Sequence, residues 1–127
     1  MKAGATPKRA VRVADRLREE LTTILAREVR DPRLASVVIT RVEMPDDLSS
    51  ARVLVRTVVP APDLAAKKQV LAGLASASGR LRKSLGGRIG LRRTPELRFY
   101  WDDGFDASER IAQLLAEIEE ERRQREE

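Results

Sequence analysis

Phosphate binding is the first chemistry that this sequence suggests, because one long stretch carries many cations and no acids. From Leu64 to Pro95 the chain contains neither Asp nor Glu. A basic surface of this kind attracts nucleic acid, and the apolar residues of the stretch recur with helical period, so we expect its charges on a folded surface. The basic residues are Lys67, Lys68, Arg80, Arg82, Lys83, Arg88, Arg92 and Arg93.

Within this set we favour Arg80, Arg82, Lys83 and Arg88 as phosphate ligands, with Arg92 and Arg93 next. For any single one of them, a solvated helix face is an equally good interpretation. A second candidate patch consists of Arg9, Arg12 and Arg16, whose spacing of three and four places them on one helix face. For this patch, phosphate binding and simple solvation remain equally open.

Enzymatic and metal chemistry are poorly supported by the residue types. The chain has no Cys and no His, which removes thiolate sites, the commonest metal ligand and the commonest general base. Asp102, Asp103 and Asp106 resemble a hard-cation cluster, but no Gly-supported ligand loop follows, so capping of the last helix is favoured. We therefore expect no catalytic residues, no metal and no cofactor.

The aromatic residues indicate how RNA would be recognised. Phe99, Tyr100, Trp101 and Phe105 are the only aromatic residues, and their neighbours are acidic rather than basic. Core packing of Phe99 and Trp101 is favoured over base stacking. Recognition is then expected to depend on the shape and backbone of structured RNA.

Length and composition limit the protein class. The 127 residues suit one domain, and no apolar run approaches the ~18 residues needed to span a membrane. A cytoplasmic location is the default expectation. The net charge of +5 is uneven, because residues 99–127 carry ten acidic and four basic side chains. A protein built only for non-specific charge binding would have little use for such an acidic end.

The first half of the chain predicts a helix and a hairpin. Thr6-Pro7 suits a helix start, and Asp31-Pro32 suits its end. Residues 36–44 and 51–59 are β-branched and are joined by a short turn, so they predict an antiparallel hairpin. In the second strand the inward side is expected to comprise Val53, Val55, Thr57 and Val59.

The second half predicts a helix, a strand and a last helix. Asp63 is placed to cap a helix that ends at Gly86-Gly87, and Gly79 within it favours a bend or a close backbone contact. Residues 96–102 alternate as a half-buried strand. Asp106 begins a capping box for a short amphipathic helix, and the sequence after Glu119 is expected to fray. The prediction is a single two-layer α+β domain over 8–118, with flexible tails at 1–7 and 119–127.

This order and several motifs resemble the bacterial ribosome-binding factor A family over about 8–118. Many short motifs in register are a more specific signal than any one of them. The matching motifs are Arg12-Val13, Asp31-Pro32-Arg33-Leu34, Val42-Glu43, Asp47-Leu48, Ala51-x-Val53, Leu81-Arg82-x-x-Leu85, Leu91-Arg92, Pro95-Glu96-Leu97-x-Phe99, Arg110-Ile111 and Leu114-Leu115.

The resemblance implies a type II KH-like fold with a three-stranded sheet and a kinked helix. In this family an Ala-x-Gly kink replaces the Gly-x-x-Gly loop between the KH helices, and Ala77-Ser78-Gly79 matches the kink. A Gly-x-x-Gly does occur at 87–90, but only four residues separate it from Pro95, which leaves no room for a second helix. The family's RNA contact involves the kinked region, which favours the basic set on that helix over Arg9, Arg12 and Arg16.

The resemblance also implies a function. The family acts late in maturation of the small (30S) ribosomal subunit, binding 16S rRNA of free subunits near the decoding region and assisting rRNA processing. It implies a cytoplasmic, non-enzymatic protein with no membrane partner, and we expect a monomer. Two alternatives remain: a helix-turn-helix-like duplex DNA binder, and a protein-interaction module that docks through the last helix.

Overall fold

The computed structural model describes residues 8–58 and 63–126, although not the side chains of Lys8 and of residues 105–109. The predicted order of helices and strands is confirmed, with one short 3-10 turn (Pro32–Leu34) added after the first helix. The elements are α1 (Lys8–Glu28), β1 (Val37–Glu43), β2 (Ser50–Thr57), α2 (Leu64–Arg88), β3 (Glu96–Trp101) and α3 (Asp103–Glu126). The predicted helix start at Thr6-Pro7 and the inward position of Val59 lie outside the described residues.

The three strands form one mixed sheet in the order β1-β2-β3. β1 and β2 pair antiparallel, as the hairpin predicts, with a register shift between Ile39 and Arg41. β2 and β3 pair in parallel, because α2 carries the chain back across the sheet between them. The short connection between the hairpin strands places Leu48 in a left-handed conformation, with φ of 58°.

The core lies between one face of the sheet and the helices α1 and α2. The apolar stripe of α1 supplies Leu17, Leu21 and Ile24, which are fully buried. Val53 and Val55 of β2 face them from the sheet, also without exposure. The buried residues of α2 in this cluster are Val70, Leu74, Leu81 and Leu85.

Helix α2 begins as expected and ends later than expected. The Asp63 carboxylate accepts a hydrogen bond from the Ala66 N–H at 2.9 Å, which confirms the predicted N-cap. The helix continues through Gly86 and Gly87 to Arg88, so the prediction that this glycine pair ends it is wrong. Neither glycine adopts a positive φ, and the Ile89 N–H still donates to the Leu85 carbonyl at 3.0 Å.

The kink region lies inside this single helix. α2 is assigned as one helix across Ala77-Ser78-Gly79, and the Ser78 hydroxyl donates to the Ala75 carbonyl at 2.9 Å. A Cβ added at Gly79 would meet nothing within 4 Å, so a close backbone contact there is wrong. A bend at these residues stays a prediction.

Helix α3 differs most from the expectation. It begins at Asp103, three residues before the predicted capping box, and it runs to Glu126 instead of ending near Glu119. Ion pairs one turn apart support the extension: Arg122–Glu119 at 2.8 Å and Arg123–Glu120 at 2.7 Å. Every residue of α3 from position 110 to 126 is exposed. This part of α3 is therefore not part of the core.

Candidate nucleic-acid interface

The two basic segments predicted from the sequence meet where α1 lies beside the C-terminal end of α2. The Arg16 Nη2 donates to the Arg88 carbonyl at 3.2 Å. Both guanidinium groups also pair with Glu20, at 3.5 Å for Arg16 and 3.4 Å for Arg88. The two segments are separate candidate patches in the sequence, whereas the contact between Arg16 and Arg88 joins them in the fold. Glu20 partly neutralises Arg16 and Arg88, which weakens both as phosphate ligands.

Arg82 has a structural use that the sequence did not indicate. Its Nε donates to the Pro95 carbonyl at 3.1 Å, and its Nη2 donates to the Thr94 carbonyl at 3.0 Å. These bonds hold residues 89–95, which we call the connector, between α2 and β3. Arg82 therefore positions the connector, and two of its five N–H donors are committed to that task.

Seven of the other basic residues in the two predicted patches remain available for phosphates. They are solvent-exposed, and in the described part of the chain they make no ion pair or hydrogen bond. Since no carboxylate of the described residues holds them in an ion pair, their guanidinium and ammonium groups can attract an external anion. We call them the unpaired cations: Arg9, Arg12, Lys68, Arg80, Lys83, Arg92 and Arg93.

Lys67 differs from these residues because its ammonium lies over the Trp101 ring, 5.4 Å from the centroid. Trp101 itself packs partly buried against the core, as does Phe99, in agreement with the expected core role. The sequence missed a second cation–π pair, in which the Arg52 guanidinium lies 4.8 Å from the Tyr100 ring centroid. Strand alternation predicts that Arg52 and Tyr100 both point away from the core. Only the parallel pairing of β2 and β3 brings the two side chains together.

The acidic side chains near α3 that the structure describes are not grouped as an ion site. Asp102 is buried, and the Thr40 hydroxyl donates to its Oδ2 at 2.5 Å across the sheet. No group of carboxylates among the described residues is arranged to hold a metal. The predicted cap at Asp106 lies inside α3 rather than at its start.

The hairpin tip adds an acid to the basic surface. The Asp47 carboxylate accepts hydrogen bonds from the hydroxyl of Ser49 at 2.8 Å and from its N–H at 3.1 Å, and these bonds lower the pKa of Asp47. Together with Arg9 of α1 and with Arg92 and Arg93 of the connector, the tip surrounds a groove of about 440 Å³.

Comparison with known proteins places these features in a family context. The sequence model of the family described as "Ribosome-binding factor A" matches residues 9–115. A protein of that name from Sorangium cellulosum is 53% identical over 113 residues, covering 89% of this chain and 90% of the relative. None of the helices in the described residues is long and apolar enough to cross a membrane.

Solved structures agree in fold. The crystal structure of ribosome-binding factor A from Thermus thermophilus aligns with a TM-score of 0.63 and 25% identity, over 72% of this chain and 93% of that one. A homology model of the Thermus thermophilus factor, fitted into the cryo-electron microscopy map of its complex with the 30S subunit, aligns with a TM-score of 0.51 and 26% identity, over 75% of this chain and 92% of that one. The predicted KH-like fold is thereby confirmed.

Proposed function

The chain belongs to the ribosome-binding factor A family, and on that premise we propose that it binds the small ribosomal subunit through 16S rRNA. We propose further that it acts on free subunits late in their maturation and assists rRNA processing. The relative fitted into a 30S complex supports the choice of partner.

The observation that carries the proposal is the distribution of the unpaired cations over three elements. Arg12 lies on α1, Arg80 and Lys83 lie on α2, and Arg93 lies on the connector. A folded RNA presents phosphates at fixed spacings, so cations held on rigid helices select its shape better than a flexible basic tail does. Each cation that replaces a condensed counterion gains binding free energy from ion release.

The Gly-x-x-Gly at 87–90 does not form a nucleic-acid clamp between two helices. Gly87 lies in the last turn of α2, Ile89 is buried in the core, and the connector reaches β3 without another helix. We propose that phosphates instead contact the surface of α2 around Ala77-Ser78-Gly79, where a Cβ added at Gly79 would meet nothing within 4 Å.

Co-sedimentation with purified ribosomal particles tests the proposal. We expect the chain to migrate with free small subunits and not with whole ribosomes. The double change Arg80→Glu and Lys83→Glu is expected to abolish co-sedimentation. The matched control Arg122→Glu and Arg123→Glu makes the same change of charge on α3 and is expected to keep it. Equal binding to whole ribosomes, or equal losses in both variants, contradicts the proposal.

The processing step needs a cellular measurement. Cells that depend on this chain are expected to accumulate precursor 16S rRNA when it is replaced by the Arg80→Glu, Lys83→Glu variant. Normal precursor levels with the non-binding variant would show that the chain does not assist processing.

The fold bears differently on the two alternatives. A helix-turn-helix needs two helices joined by a tight turn, whereas α2 is one helix over Leu64–Arg88. The protein-interaction alternative relies on the exposed apolar residues of α3. Ribonuclease treatment distinguishes this alternative from the RNA-binding proposal. Complexes that persist after digestion of the RNA would favour it over the RNA-binding proposal.

A further inference from the structure

The groove beside the hairpin tip combines charge with an apolar floor. Its walls come from the start of α1, the tip between β1 and β2, and the connector. Leu48 is buried on the floor, and Leu91 is partly buried beside it. The lining residues are Arg9, Asp47, Leu48, Ser49, Leu91, Arg92 and Arg93.

The charges of the groove favour an anion. Arg9, Arg92 and Arg93 are all unpaired cations, although Arg9 is far from the other two in sequence. Among the described lining residues, Asp47 is the only acid. Its Oδ1 accepts both hydrogen bonds from Ser49, and the carboxylate keeps its negative charge, so it offsets one of the three arginine charges. The described lining therefore carries three arginines against one carboxylate, which leaves an excess of positive charge around one volume.

The walls are held in place before any ligand arrives. The Ser49 carbonyl accepts a hydrogen bond from the Glu96 N–H at 3.1 Å, which joins the tip to the start of β3. Arg82 holds the other side through the carbonyls of Thr94 and Pro95. Preformed walls reduce the entropy lost when a ligand binds.

The backbone conformation of Leu48 indicates that the hairpin tip has a functional role. Its φ of 58° lies in the left-handed region, which a leucine adopts only at a cost in conformational energy. That conformation turns the side chain into the buried floor while the Leu48 N–H donates to the Pro45 carbonyl at 3.0 Å. Residues in such conformations cluster at binding sites.

We propose that this groove binds one unpaired nucleotide of an RNA strand. The phosphate lies against Arg9, Arg92 and Arg93, and the base packs on Leu48 and Leu91 beside a guanidinium plane. The volume of about 440 Å³ lies within the range of about 300–1,000 Å³ usual for small-ligand sites. A duplex would offer its phosphates and leave the apolar floor unused. This inference rests on the proposed function, to which it adds a preference for a single-stranded segment of the RNA.

Nuclear magnetic resonance titration of the full chain tests the groove directly. Adenosine 5′-monophosphate is expected to shift the amide signals of Ser49, Leu91 and Arg93 at lower concentrations than inorganic phosphate does. Adenosine without phosphate is expected to bind weakest. Equal effects of phosphate and nucleotide would overturn the assignment of a base site, as would shifts confined to residues outside the groove.

Strand preference gives the second test, by fluorescence anisotropy with an eight-nucleotide single strand and a duplex of equal phosphate number. Arg92→Gln with Arg93→Gln is expected to lower the single-strand to duplex affinity ratio about tenfold, the scale of one lost base contact. The matched control Arg80→Gln with Lys83→Gln removes the same charge outside the groove, so it is expected to weaken both ligands and keep the ratio. An unchanged ratio in the groove variant overturns the inference.

Failure of this inference is distinguishable from failure of the proposed function. Wild-type chain that co-sediments with small subunits but shows no strand preference overturns only the nucleotide site. Wild-type chain that binds nucleotide in the groove but no small subunit overturns the proposed function and supports the groove.

Discussion

At the scale of single residues, Arg82 shows how a basic side chain can serve the fold and the interface together. It spans from α2 to the carbonyls of Thr94 and Pro95 and holds the connector that carries Arg92 and Arg93. The sequence places Arg82 among phosphate ligands, because the stretch around it has no acid to pair with it. Its acceptors are backbone carbonyls twelve and thirteen residues away, and no residue pattern reports those.

Arg82→Ala is therefore expected to destabilise the protein by about 1–3 kcal/mol, since two charged hydrogen bonds are lost. Lys83→Ala, at the next position and without a partner in the described chain, is expected to change stability by less than about 0.5 kcal/mol. Urea unfolding followed by circular dichroism measures both. Equal midpoints for the two variants would show that the Arg82 bonds contribute nothing.

The Asp31 carboxylate gives a stability that depends on pH. The side-chain hydrogen bonds from Arg33, together with the Arg33 N–H, lower the pKa of Asp31 below its usual value. A carboxylate with a lowered folded-state pKa stabilises the fold above its unfolded pKa, and this contribution is lost as pH falls through the folded-state value. Asp47 has a pKa lowered in the same direction by Ser49.

We expect the free energy of unfolding to decrease below about pH 4, the unfolded value of an aspartate. Asp31→Asn is expected to reduce stability at pH 7 and to flatten the profile between pH 5 and pH 2 relative to wild type. Urea unfolding across that range measures the slope. A variant profile parallel to wild type would show that Asp31 does not contribute.

At the scale of elements, two glycines of α2 provide a matched pair. A Cβ at Gly79 meets nothing within 4 Å, whereas a Cβ at Gly73 would lie 3.1 Å from Leu34 Cδ2 and 3.3 Å from Arg33 Nε. Gly79→Ala is expected to stabilise the fold by up to about 1 kcal/mol through helix propensity. Gly73→Ala is expected to gain less or to destabilise, because the side chains of Leu34 and Arg33 must move to make room. The reverse order in thermal unfolding would contradict this.

Gly79→Ala also tests whether a bend positions the interface. If α2 bends at Ala77-Ser78-Gly79, alanine favours a straighter helix and changes the distance between Lys68 and Lys83. Binding to small subunits is then expected to weaken while stability rises. Unchanged affinity in the stabilised variant would exclude a bend as the device that aligns these cations.

The elements also show where sequence reasoning succeeds and where it stops. Apolar periodicity predicts α1, the hairpin and β3, because an element that buries one face must carry apolar residues at the spacing of that face. The end of α2 was misplaced because Gly86 and Gly87 can remain helical when φ stays negative. The apolar stripe of α3 ends at Ile118, but pairing between Glu and Arg extends the helix to Glu126. The groove was not predictable, since it joins residues from three separate segments.

The part of α3 beyond Arg110 is expected to be dispensable for the fold. Its exposed apolar residues are Ile111, Leu114, Leu115 and Ile118. A chain that stops after Arg110 loses none of the buried core, so its free energy of unfolding should stay within about 0.5 kcal/mol of wild type. The helical circular dichroism signal per residue should fall, because the truncation removes helical residues. A chain that stops before Glu96 is the control and is expected not to fold, because it lacks β3. A large loss of stability on truncation after Arg110 would mean that the removed part of α3 packs against the domain in solution.

At the scale of the whole molecule, the charge distribution predicts how fast RNA is found. Residues 111–127 contain six acidic and three basic side chains, so removing them raises the formal net charge from +5 to +8. Long-range attraction between a more positive chain and RNA increases the association rate, and salt screens that attraction over about 10 Å at 0.1 M ionic strength. The contacts of the interface itself stay the same.

Truncation after Arg110 is thus expected to raise the association rate constant for single-stranded RNA at low salt and to leave the dissociation rate nearly unchanged. The difference from wild type should shrink as salt increases, because the effect acts over distance and not through contacts. Stopped-flow fluorescence across a salt series measures both rates. A faster dissociation of the truncated chain would show instead that α3 contacts the RNA directly, and a rate difference that persists at high salt would exclude long-range steering.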